Sequence, residues 1–270
     1  MTFKIGFATE TDRAQPAEAA YTAPQTAAAC RSVVQVHFPA RGMTLAYYND
    51  RFDLHRGDLV YVDGKLEGLR GRVTEVNYNF KIRLSDYKRV IAVVDTEVKG
   101  RFFMAGSHFV TFECAALPAE QVASWFQAPA KPEDEIVSGS DDAFFDLEHL
   151  LQMNVSAAVA ERGRDYYMES RVKYLCVDHG RGYALVEGSK VYEVEFCYCE
   201  GKISGLTCSC FCGDACKHEF AAMLQLRETL ELIGEHYAQE YERTGYFAAI
   251  HKGTLFSFAI DGKETGAFTL

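Results

Sequence analysis

The stretch Cys208-Ser-Cys-Phe-Cys-Gly-Asp-Ala-Cys-Lys-His218 places four cysteines and one histidine in a short segment. Zinc in proteins takes four thiolate or imidazole ligands at tetrahedral corners, and Cys-x-Cys followed by Cys-x-His supplies that number from two short arms. Alternate residues of an extended segment leave the backbone on one face, so Cys208 and Cys210 can turn toward one metal. We therefore predict one zinc ion per chain, bound by Cys208, Cys210, Cys216 and His218.

The residues around this stretch support the ligand set. Gly213 allows a tight reversal between the two arms, and the second arm lies where a helix is predicted to begin. A core-facing line of residues at spacings of four and three follows: His218, Ala222, Leu226, Leu230 and Ile233. The N–H groups at a helix start stabilise thiolate. Cys212 is a fifth thiol that could replace Cys210 as a ligand, although its position beside Gly213 inside the reversal favours Cys210.

Three further motifs accompany the ligands. Arg162-Gly-Arg-Asp-Tyr-Tyr precedes a predicted strand, Val186-Glu-Gly-Ser forms a turn, and Cys216-Lys-His-Glu-Phe-Ala-Ala opens the helix. With Cys-x-Cys before them, these motifs resemble the SWIM zinc finger of bacterial proteins over about residues 145–233. The resemblance implies a helix, a small antiparallel sheet, a zinc loop and a second helix. It also implies a recognition module that binds DNA or protein.

The remaining cysteines are not predicted to bind zinc. Cys197 and Cys199 form a second Cys-x-Cys pair, but a hairpin turning at Glu200-Gly201 places Cys199 opposite Lys202 and Cys197 opposite Ser204, several residues short of the zinc ligands. Of nine cysteines in 270 residues, seven lie between positions 176 and 216. This clustering indicates metal binding in a reducing cytoplasm rather than a disulfide framework.

Composition divides the chain into two predicted domains. Prolines, acids and small residues replace apolar periodicity in 128–142, which predicts a linker between a domain at 1–127 and a SWIM zinc domain at 143–270. Seven strand-like segments between residues 33 and 113 predict a small β-barrel. The segment from Gly57 to Val76 resembles the opening hairpin of SH3-like or KOW-like barrels. The predicted fold class is α+β.

Helices and a hairpin complete the prediction. A short helix from Pro118 to Phe126 closes the first domain, with Val122, Trp125 and Phe126 turned inward. The zinc domain begins with an apolar helix across residues 144–151. After the zinc helix, helical sequence continues to Arg243, and two strands are predicted around Lys252-Gly253.

Charge separates the predicted binding roles of the two domains. The chain carries a net charge of −10, and residues 141–244 alone carry −9, from 10 basic and 19 acidic residues. Residues 41–101 carry +3, from 12 basic and 9 acidic residues. Basic residues interleaved with aromatic ones suit single-stranded nucleic acid, which is held by charge and stacking. Candidate contacts are Arg70, Arg72, Tyr78 and Arg83, and the alternative is an ordinary solvated strand face.

Two hypotheses for function follow. Cys₃His fills all four zinc positions, so the metal is predicted to be structural and the protein non-enzymatic. The first hypothesis is a nucleic-acid-associated recognition module with a helicase-like ATPase as partner. The alternative is a protein–protein interaction adaptor with a purely structural zinc, which the acidic zinc domain favours. No leader and no run of eighteen apolar residues is evident, so we expect a soluble, cytoplasmic protein.

Overall fold

The computed structural model describes residues 31–130, 144–210 and 212–259, and it shows a mixed α+β protein with two antiparallel sheets. The predicted α+β class is confirmed. The predicted linker lies outside the described residues from position 131 onward. Among the described residues, no helix is long and apolar enough to cross a membrane.

The first sheet has five strands in the order β2-β1-β4-β3-β5. Their bounds are Ser32–Phe38 (β1), Met43–Asn49 (β2), Leu59–Val62 (β3), Gly71–Asn77 (β4) and Val90–Val94 (β5). Alternate residues of β1 are buried, and Val34, Val36 and Phe38 form a core with Val60 and Val73. A parallel bridge between Tyr48 and Arg89 connects β2 to the chain just before β5, so the two edges of the sheet approach each other.

The second sheet has eight strands in the order β6-β7-β13-β9-β10-β11-β12-β8. Their bounds are Phe103–Ala105 (β6), His108–Thr111 (β7), Phe145–Asp146 (β8), Val172–Asp178 (β9), Arg181–Glu187 (β10), Val191–Cys199 (β11), Lys202–Cys208 (β12) and Tyr246–His251 (β13). The helices are Ala119–Phe126 (α1), Ala157–Met168 (α2), Lys217–His236 (α3), Ala238–Thr244 (α4) and Lys252–Ala259 (α5). Helix α3 packs on β9 to β12, with Phe220, Met223 and Leu226 in the core.

The hairpin between β11 and β12 forms as predicted. Cys199 pairs with Lys202 and Cys197 pairs with Ser204. Glu200 and Gly201 both have positive φ, 48° and 81°, as a tight two-residue hairpin turn requires. The hairpin therefore directs Cys197 and Cys199 away from the segment that holds the predicted zinc ligands.

The prediction that residues 1–127 fold around a core of their own is wrong for the described part of that range. Strands β6 and β7 join the second sheet, because β7 pairs with β13. Helix α1 is present, and its Val122 and Trp125 are buried as predicted. They pack in one cluster with Tyr174 of β9, Ile250 of β13 and Phe258 of α5. Within the part of 1–127 that the structure describes, the five-stranded sheet, residues 32–94, is the part with a separate core.

Two secondary-structure predictions are also wrong. The predicted second strand of the C-terminal hairpin is α5, because Leu255 and Phe258, three residues apart, face the same cluster and the Phe258 ring stacks on Trp125 at 5.0 Å between centroids. The predicted apolar helix across 144–151 is β8 followed by a 3-10 helix, Leu147–Gln152. Strand β8 forms because Phe145 pairs with Ile203 at the edge of the sheet.

Candidate metal centre

The four predicted ligands lie at the meeting point of β12 and α3. Cys208 ends β12, Cys210 follows in the loop, and Cys216 is the N-cap residue of α3. Cys216 and His218 are 3% and 4% exposed. The Cys-x-Cys arm therefore arrives from a strand and the Cys-x-His arm from a helix start, as the spacing predicts.

The distances within the cluster suit one tetrahedral metal. The ligand atoms of Cys208, Cys210, Cys216 and His218 all lie within 4.8 Å of one another. His218 Nδ1 lies 3.8 Å from Cys208 Sγ and 3.6 Å from Cys216 Sγ. Bonds of about 2.3 Å to sulfur and about 2.0 Å to nitrogen give a tetrahedron whose sulfur–nitrogen edges are about 3.5 Å. The cluster is therefore compatible with a bound metal ion.

The fold shifts the pKa values of side chains in the cluster, and a bound cation would shift them again. Burial lowers the pKa of His218 to about 4, so its imidazole is neutral at neutral pH, the form that binds metal. Burial raises the pKa of Cys210 to about 12. The hydrogen bond with the Cys208 thiol, and then burial, raise the pKa of Cys216 well above its ordinary value. The Cys210 and Cys216 thiols thus resist ionisation by themselves, whereas a bound divalent cation would favour their thiolates.

A capping box aligns the helix with the ligands. The Glu219 carboxylate accepts a hydrogen bond from the Cys216 backbone N–H at 2.6 Å, and the Glu219 backbone N–H donates to Cys216 Sγ at 3.5 Å. The Cys-x-x-Glu spacing of residues 216–219 matches the capping-box pattern with cysteine in place of serine. This signal was available in the sequence. It assigns Glu219 to the helix start.

Aromatic rings enclose the histidine. The Tyr192 ring stacks on the His218 ring at 4.1 Å between centroids and 20°, and Tyr166 meets the same ring edge-on at 5.5 Å. A Cβ at Gly188 would lie 3.3 Å from His218 Nε2, a buried atom with no hydrogen-bond partner in the described structure. Sequence reasoning named Gly188 only as part of a turn and missed Tyr192, because only the packing of α3 on β10 and β11 brings them beside the histidine.

The other thiols lie outside this group. Cys212 is exposed and is not among the residues whose ligand atoms converge. Cys197 and Cys199 are also exposed. Within the described residues, this is the one group of three or more potential metal-ligating side chains that converges.

The four predicted nucleic-acid contacts fall into two pairs. The guanidinium of Arg70 donates to the Trp125 carbonyl and lies 4.3 Å above the Phe258 ring. Arg72 donates to the Gly57 carbonyl at 3.0 Å. Tyr78 and Arg83 are exposed. The structure therefore engages Arg70 and Arg72 within the fold and presents Tyr78 and Arg83 to solvent.

Comparison with protein-family models, curated proteins and solved structures finds no match for this chain.

Proposed function

We propose that Cys208, Cys210, Cys216 and His218 hold one zinc ion in a SWIM-type domain, and that the protein is a non-enzymatic recognition module. The observation that carries this proposal is the convergence of three sulfurs and one imidazole nitrogen within 4.8 Å. Soft thiolates with imidazole suit zinc. Four protein ligands leave no open position for water, so the zinc would stabilise the loop.

The order of elements supports a SWIM-type domain. Helix α2, the sheet β9 to β12, the cysteine loop and α3 follow one another, an order that supports the proposal although α2 takes the place of the helix expected across 144–151. Zinc would tie the end of β12 to the start of α3 through ligands from both arms.

The five-stranded sheet supports a recognition role of its own. We propose that it is a small SH3-like barrel, because the Tyr48–Arg89 bridge links its edge strands. Its basic residues favour single-stranded nucleic acid as ligand, in a cytoplasmic protein that works beside a helicase-like ATPase. The adaptor alternative is favoured by the net charge of −9 on residues 141–244, which repels phosphate and suits a basic protein surface.

Metal analysis of protein purified without chelator tests the metal assignment, with about one zinc per chain expected. Two zinc ions per chain would implicate Cys197 and Cys199, and a value near zero with full folding would remove the zinc proposal.

Fluorescence anisotropy of the full chain with single-stranded oligonucleotides at about 50 mM salt tests the nucleic-acid proposal. Saturable binding is expected, and its absence would favour the adaptor.

A further inference from the structure

We propose that the connection between β4 and β5, residues 78–89, is the surface that contacts single-stranded nucleic acid. This inference rests on the proposed function, since it names the contact surface of the recognition module. The connection is Tyr78-Asn-Phe-Lys-Ile-Arg-Leu-Ser-Asp-Tyr-Lys-Arg89, with four basic residues, three aromatic residues and one acid. Single strands are held by positive charge along the backbone and by rings that stack on bases.

The side chains that such contact needs are on the surface. Tyr78 is 55% exposed and Leu84 is 53% exposed. Lys81, Arg83 and Lys88 are exposed as well. An exposed aromatic ring and three exposed basic side chains within one connection supply both kinds of contact that single strands use.

The connection is held against the sheet. The Tyr48 backbone N–H donates to the Lys88 carbonyl at 2.9 Å, and the Phe80 ring lies 6.1 Å from the Tyr48 ring. A 3-10 helix, Leu84–Asp86, shapes the middle of the connection. A surface already ordered before binding loses less conformational entropy on contact with its ligand.

The connection keeps a net positive charge when the nearby acidic residues are considered. Arg89 forms an ion pair with Asp50, and its backbone N–H donates to Asp63 Oδ1 at 2.6 Å, so we do not count it toward phosphate binding. The other three basic residues face solvent against the single acid Asp86. Arg70 and Arg72 do not belong to this surface, because both are engaged with main-chain carbonyls.

Charge removal in the full chain tests the surface. The double substitution Lys81→Ala/Arg83→Ala is compared with Lys99→Ala/Arg101→Ala, which removes the same charge from exposed side chains just before β6. Binding to labelled oligo-dT and oligo-rU of about 20 nucleotides is followed by anisotropy across salt concentrations. We expect the first variant to flatten the slope of log K against log salt by about 1.4, since each single-strand phosphate contact contributes about 0.7. The control variant should keep the slope of the unsubstituted protein.

Stacking is tested separately from charge. Tyr78→Ala should weaken binding by about fivefold or more at unchanged salt slope, and Tyr78→Phe should retain it, because a phenyl ring stacks on a base as well. Comparison of dT with rU shows whether a ribose 2′-OH contributes. A duplex of the same length should bind more weakly.

The outcomes separate this inference from the proposed function. If the unsubstituted protein binds and both double variants bind equally well, the surface lies elsewhere and the recognition module stands. If duplex binds as well as single strands, the single-strand assignment is overturned. If the unsubstituted protein binds neither oligonucleotide, both the surface and the nucleic-acid function fall, and the zinc content measured in the same samples still decides the metal centre.

Discussion

At the scale of single residues, Cys216 belongs both to the candidate metal centre and to the start of a helix. It is the N-cap residue of α3, and its sulfur accepts a hydrogen bond from the Glu219 backbone N–H while lying 3.6 Å from His218 Nδ1. The N–H groups of a helix start stabilise negative charge. A thiolate in this position therefore gains from the helix as well as from a metal.

Cys210 and Cys212 are a matched pair for testing the ligand set. Cys210→Ser should reduce bound zinc from about one per chain to well below half, because hydroxyl is a far poorer zinc ligand than thiolate. Cys212→Ser should keep its zinc, since Cys212 is exposed and lies outside the converging group. Metal analysis after gel filtration measures both. Loss of zinc from Cys212→Ser, with zinc kept in Cys210→Ser, would show that Cys212 and not Cys210 is the fourth ligand.

At the scale of elements, close contact between α2 and α3 is made possible by one glycine. A Cβ at Gly163 would lie 2.8 Å from Phe220 Cβ and 3.0 Å from the Lys217 carbonyl oxygen. Lys217 is the first residue of α3, between the ligands Cys216 and His218. The packing of α2 therefore bears directly on the helix turn that presents the second ligand arm.

Two helix glycines give opposite predictions for the same substitution. Gly163→Ala should lower the free energy of unfolding by about 1–3 kcal/mol, since the new methyl group meets backbone and Cβ atoms that yield little. Gly234→Ala, at an exposed position of α3 with no atom within 4 Å of the new Cβ, should raise it by up to about 1 kcal/mol through helix propensity alone. Chemical denaturation measures both. Equal stabilisation by the two changes would mean that α2 and α3 do not pack this closely.

At the scale of the whole molecule, the chain forms a small sheet with its own core and a larger part built around the second sheet. The five-stranded sheet has its own core around Val34, Val36 and Val73, whereas β6, β7, α1 and α5 share cores with the large sheet. Tyr61 and Val94 extend from the small sheet into the shared cluster. The physical boundary therefore falls near residue 94, well before the compositional boundary at residue 128.

Removal of a bound zinc should open the large sheet and leave the five-stranded sheet folded. Structural zinc contributes on the order of 10 kcal/mol in small metal-dependent domains, so chelation or Cys216→Ser should open the large sheet. Hydrogen exchange is then expected to accelerate in β9 to β12 and in residues 103–126, while the buried strands β1 and β4 stay protected. Continued protection of residues 103–126 would show that they fold with the small sheet. Loss of protection in β1 and β4 would show that the molecule unfolds as one unit.

The sequence by itself determined the local features of this protein. The ligand spacing, the helix after it and the turn at Glu200-Gly201 depend on residues close in the chain, and each appears in the structure. The α+β class follows from the same local periodicities. These features could be predicted because hydrogen bonding and side-chain direction repeat over a few residues.

The tertiary structure alone decided which sheet each strand joins and which charges reach solvent. All four residues of β7 are buried, but the sequence does not show which strand lies beside them, so the pairing of β7 with β13 more than a hundred residues later was not predictable. The guanidinium of Arg70 is drawn over Phe258 for the same reason. Contacts between residues far apart in the chain decide which element a buried face packs against, whereas a sequence pattern indicates only that the face is buried.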